Sequence, residues 1–272
     1  MLFRQLTAFT TKRRSALFGI AIAAMVQSSG VSAHVPYLTP ESFEPIRDWV
    51  SLEASFADKF FVPEAKFDQS EFLVYLPTGG KESPKEQAMV RSRTVLEHQL
   101  TEEGSYRFST GQRYGAVFKS WIENGKTINS RDPEAQPPQG IPLSAHFQSV
   151  TLAETYVSKD KPTSQVLAPH GKGLEIEFIS HPNDLYIEQT IKARVLFEGK
   201  PLVNSKVFLH QGGQLDSEQR HTLTTSAQGE IEFSVTEAAT YLLLARHRAK
   251  APATAKAPEY SYSYSAVIEI TE

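Results

Sequence analysis

LEIEFIS (174–180), TIKARVLF (190–197), SKVFLHQ (205–211), HTLTTS (221–226), EIEFSVT (230–236), TYLLLARH (240–247) and SYSAVIEIT (263–271) follow one another in the C-terminal part of the chain. Each is short and rich in Val, Ile, Leu, Phe, Tyr or Thr, the residues that fit a pleated, half-buried surface. Turn signals separate them, among them Glu198-Gly199-Lys200-Pro201 and Gln228-Gly229. Seven strands at a spacing of about 8 to 12 residues predict a Greek-key sandwich of the immunoglobulin-like type over residues 174–272.

Upstream, WVSLEASFADKFF (49–61), EFLVYLP (71–77), TVLEHQL (94–100), GSYRFSTG (104–111) and YGAVFKSWIE (114–123) alternate less regularly, yet they too read as strands. A second β-domain over 34–160 follows, with an interior expected to be aromatic from Trp49, Phe56, Phe72, Tyr106, Phe108 and Phe118. The chain is therefore all-β, two β-sandwich domains in series. The stretch SRDPEAQPPQGIP (130–142) reads as an exposed loop, residues 161–173 as the linker between domains, and RAKAPATAKAPEY (248–260) as a mobile loop before the last strand.

Residues 1–33 read differently. Arg4, Lys12, Arg13 and Arg14 precede the apolar run ALFGIAIAAMV (16–26), which is short for a bilayer span, and Val31-Ser32-Ala33 offers a small-residue cleavage site. The expectation is a signal peptide removed after Ala33, leaving His34 first in a periplasmic protein. No later segment has the length and apolarity of a membrane span. Removing residues 1–33 takes four basic residues and no acid from a chain with 28 Lys and Arg against 31 Asp and Glu, so the remainder is mildly acidic. Nucleic acid is a poor partner for such a surface. With no cysteine, disulfides, thiolate metal sites and thiol nucleophiles are excluded.

The segments AHVPYL, GLEIEFISHP, EGKPLVNSKVFL, TTSAQGEIEFSVTEAATYLLLARH and SYSAVIEI, in that order behind a signal peptide, give the chain a resemblance to the DUF4198 family of periplasmic proteins. Some members are associated with nickel or cobalt uptake. The resemblance implies a compartment, and it adds a metal to the functions worth weighing.

A histidine at a free N-terminus offers two nitrogens, its α-amine and ring Nδ1, and the α-amine loses its proton more readily than a lysine amine. Pro36 removes the backbone N–H that a copper or nickel ion would recruit at the third mature position. His34 is thus the first candidate ligand for Ni, Co or Cu. Its expected partners are His247 at the end of a strand, His181 at the end of LEIEFIS, and His146 in the domain that holds His34. No nucleophile elbow, acid/base pair or phosphate-cradling loop is present, so no enzyme is expected. The expected partner is a metal transporter or an outer-membrane receptor. The alternative is an envelope interaction module that binds a protein through its sandwiches. One further pattern stands out: Tyr260, Tyr262 and Tyr264 share a face at period 2, as a core margin or as an aromatic ladder for a sugar or an edge strand.

Overall fold

The computed structural model describes residues 34–218 and 221–272, so the signal sequence and its cleavage site lie outside the described residues. Eleven strands precede the expected boundary: β1 (Val35–Pro40), β2 (Trp49–Ala57), β3 (Ala65–Lys66), β4 (Leu73–Tyr75), β5 (Lys81–Glu82), β6 (Glu86–Met89), β7 (Thr94–Gln99), β8 (Gly104–Ser109), β9 (Arg113–Glu123), β10 (Lys126–Ser130) and β11 (Leu143–Lys159). A short 3-10 turn, Gln165–Leu167, follows. Eight more complete the chain: β12 (Leu174–Phe178), β13 (Ile191–Phe197), β14 (Lys200–Pro201), β15 (Lys206–Gln211), β16 (His221–Thr224), β17 (Glu230–Phe233), β18 (Ala239–Lys250) and β19 (Glu259–Ile270).

The strands form three sheets: a five-stranded one (β1-β2-β7-β6 with β3 on β2), a four-stranded one (β12-β13-β14 with β17 on β13), and a ten-stranded one. The last runs β16-β15-β18-β19-β11-β8-β4-β5, with β9 on β11 and β10 on β9. In the C-terminal half, β12, β13 and β17 lie in one sheet and β16, β15, β18 and β19 in the other. This crossing between sheets is the immunoglobulin-like Greek key that the strand spacing predicts.

Strand β11 joins the two halves. One edge pairs antiparallel with β9 from Leu143 to Thr151 and with β8 from Glu154 to Lys159, while the other pairs parallel with β19 from Phe147 to Thr155. The two sandwiches therefore share one continuous sheet. Leu38, Leu52, Phe67, Phe72, Leu96, Tyr106, Phe108 and Val157 fill the first core, and Ile176, Ile191, Val195, Val207, Leu243, Tyr264 and Ile268 belong to the second. Alternation along β18 explains its unbroken apolar run. Tyr241, Leu243 and Ala245 enter the second core, whereas Leu242 and Leu244 meet Val35, Tyr37 and Phe60 on the opposite face.

Three expectations change. Residues 161–173 are not a free linker: Val166 is buried in the second core, Arg107 of β8 donates to Ala168 O (3.1 Å), and the segment is a strap held by both sandwiches. The loop expected over 248–260 shrinks to 251–258 because β18 and β19 extend into it, and Ala251 and Ala257 are buried. Phe72, Tyr106 and Phe108 are interior as expected, but Trp49 is 46% exposed, since it opens β2 at the end of the sheet.

Candidate metal centre

His34 immediately precedes β1, and Asp58 immediately follows β2. The antiparallel register Val35↔Ala57 sets those two residues opposite one another. The chain then turns back into β3, and Glu64, just before it, is returned by Glu64 N donating to Phe56 O (3.0 Å). As a result His34 Nε2 lies 2.8 Å from Glu64 Oε2, and His34 Nδ1 lies 3.8 Å from Asp58 Oδ1. Glu64 Oε1 also accepts from Asp58 N at 3.0 Å. One ligand atom from each of the three residues falls within 4.8 Å of the others, the one group of this kind among the described residues.

The turn that carries both carboxylates is fixed from below. Phe60 is fully buried, and its N–H donates to Gln214 O (2.9 Å), while Asp216 N donates to Asp58 O (2.7 Å). The loop after β15 thus holds the loop after β2. The three side chains themselves stay accessible, His34 at 46%, Asp58 at 40% and Glu64 at 36%. An imidazole and two carboxylates on a braced turn form a donor set of mixed N and O character, suited to a borderline divalent ion.

The other histidines singled out from the sequence lie elsewhere. His247 is on β18, its ring 4.5 Å from that of Phe197, and burial pushes it below the usual histidine range. His181 is engaged in structure: its Nε2 is 3.1 Å from Ser105 Oγ and 3.0 Å from Thr163 O, and its Nδ1 accepts from Asn183 N. His146 sits on β11 opposite Lys119 of β9. None of the three joins the group around His34. The carboxylates that do join it carry no spacing signal; the β1–β2 register brings in Asp58 and the turn back into β3 brings in Glu64.

The family model for a domain of unknown function, DUF4198, matches residues 31–249. The chain belongs to the DUF4198 family. No curated protein matches it. Among solved structures, the D0-D1 domain of Intimin is similar to this DUF4198 chain over 86% of its length and 97% of that domain, at 12% identity and a TM-score of 0.23.

A second polar assembly in the DUF4198 chain is buried where the strap meets β11. Glu154 accepts from Tyr264 OH (2.7 Å) and lies 2.9 Å from His170 Nε2, with Arg107 Nη2 3.4 Å from His170 Nδ1. Burial works against the Glu154 carboxylate, but Arg107 and the hydrogen bonds from His170 and Tyr264 outweigh it and hold its pKa at about 2. Glu175 anchors the same strap by accepting from His170 N (2.7 Å) and Gly171 N (2.8 Å). Every member of this assembly is committed to a neighbour, so its work is to fasten the strap.

Proposed function

We propose that this protein, processed to begin at His34, is a periplasmic binder of a divalent transition metal, nickel, cobalt or copper, and that it assists the uptake or handling of the ion without catalysing a reaction. The observation that supports this reading is the convergence of Asp58 and Glu64 on His34. Cleavage after Ala33 would add the α-amine as a fourth donor on the same residue. A transporter or an outer-membrane receptor is the partner to which such a protein would pass its ion. Because an amine and an imidazole must shed protons to bind, affinity should rise with pH across the neutral range.

Titration of the chain 34–272 with Ni(II), Co(II) and Cu(II), followed by calorimetry and by proton release, tests the reading. One equivalent of metal should bind, and His34→Ala, Glu64→Gln or one extra residue ahead of His34 should each weaken it by about tenfold or more, at least the loss seen when a ligand's supporting partner is removed. Unchanged affinity in all three forms would refute it.

A further inference from the structure

The tyrosine ladder of β19 runs out of the second core toward the surface. Tyr264 is fully buried and Tyr262 is 8% exposed, whereas Tyr260 is half-buried and Tyr114, from β9, is 48% exposed. The rings meet edge to face: Tyr114 and Tyr260 at 5.5 Å and 62°, Tyr260 and Tyr262 at 5.9 Å and 89°. Phe197 closes the inner end, 5.2 Å from Tyr262. Tyr114, Tyr260, Tyr262 and Phe197, together with Glu198 and Lys250, line an open cleft of about 480 Å³, within the usual range of roughly 300 to 1,000 Å³ for small-ligand sites.

The carboxylate of the cleft is held in place. Glu198 occupies the tight turn between β13 and β14 at a φ of 51°, its N–H donating to Gly173 O (2.8 Å) and its Oε1 accepting from Gly173 N (3.2 Å). The carboxylate keeps lone pairs for a guest. Burial, with the negative charge of Glu198 behind it, pushes the Tyr262 hydroxyl up to about 12, so that hydroxyl remains a donor at neutral pH. Apolar ring faces, phenolic donors and a fixed acceptor complement a pyranose, whose C–H faces are apolar and whose rim carries hydroxyls. Lys250 on the rim disfavours a cationic guest, which an aromatic cage with a carboxylate would otherwise attract.

We propose that this cleft binds one pyranose unit of a soluble saccharide, seated in the corner between Tyr114 and Tyr260 with its hydroxyls toward Glu198. Rings inclined at 62° make a corner rather than a shelf, which suits a single ring better than the flat side of an insoluble polysaccharide. The site lies on the sandwich face and shares no residue with the His34 group.

The chain 34–272, titrated with maltotriose, cellotriose and chitotriose by NMR, decides the matter. At least one trisaccharide should give saturable shifts, weakened about tenfold by Tyr114→Ala and measurably by Glu198→Gln. Tyr186→Ala should change nothing, because Tyr186 is 47% exposed but lines a different surface. Tyr114 is exposed enough for its loss to leave the melting temperature unmoved, and that control separates binding from folding. The proposal is overturned if none of the three saccharides binds, if choline binds in their place, or if binding survives both Tyr114→Ala and Tyr260→Ala.

Discussion

Glu154 shows how one residue can hold two parts of the chain together. Its carboxyl is fully buried yet charged, because Arg107, His170 and Tyr264 surround it. The pKa, near 2 in the folded state, lies below an unfolded value of about 4.3. Its contribution is therefore complete above the unfolded value and lost as pH falls from there through the folded one. Glu154→Gln leaves the Arg107 cation buried without its counter-charge and should cost about 3 kcal/mol in urea unfolding at neutral pH. The difference between variant and wild type should shrink as the pH is lowered from about 4.5 to about 2. His98 acts in the opposite sense. It is buried against Tyr106 and Phe108, and neither ring nitrogen has a hydrogen-bond partner among the described residues, Nε2 lying 3.4 Å from Glu82 Oε1. Burial lowers its pKa. A depressed histidine favours the fold above its unfolded pKa of about 6.5 and loses that stability as pH falls below it. His98→Leu should flatten the decline in stability between about pH 6.5 and 5, as followed by chemical denaturation. At the proposed metal centre, His34 was legible from the sequence because its chemistry depends on position at a processed terminus. Asp58 and Glu64 were not, since the β1–β2 pairing brings in the one and the turn back into β3 the other, and no local motif announces either.

Elements divide in the same way. Strands of the C-terminal sandwich could be read directly, because one side faces a core and the other solvent or a second apolar layer. Strand β11, the longest, does not read as a strand. Glu154, Thr155 and Ser158 are buried within it, so polar letters stand at interior positions. What pays for their burial is distant in sequence: Thr155 Oγ1 donates to Val267 O (2.9 Å), and Ser158 Oγ pairs with Ser105 Oγ (2.8 Å). Composition alone likewise reads 161–173 as a linker, as the hydrogen bonds that bind it come from side chains of β8, β11 and β12. Its attachment is open to test by proteolysis. Lys172 is exposed in the strap, yet trypsin needs the surrounding backbone to open. Losing the charged hydrogen bond of His170 should raise the open population about tenfold. His170→Ala should therefore be nicked after Lys172 faster by that factor, with the fragments mapped by mass spectrometry; an unchanged rate would mean that Arg107 and Glu175 suffice to hold the strap.

At the scale of the molecule, the shared sheet decides how the two sandwiches depend on each other. Separate domains in series would unfold separately, each with its own core and midpoint. Here β11 supplies hydrogen-bonding edges to both halves, and β1, from the N-terminal sheet, packs on β18 and β19 through Val35, Tyr37, Leu242, Leu244 and Val267. Ser265 Oγ also donates to Pro36 O at 2.6 Å. Removing the first half would bare the β11-facing edge of β19 along nine registered residues and uncover the apolar face beneath β1. Neither half can then lose its structure without exposing core belonging to the other. Calorimetry of the chain 34–272 should give one endotherm whose calorimetric and van't Hoff enthalpies agree. The fragment 161–272, although it contains every strand of the Greek key, should fail to give a soluble folded domain. Two resolved endotherms, or a stable fragment with native-like dispersion of its amide signals, would show that the common sheet only joins the sandwiches and does not couple them.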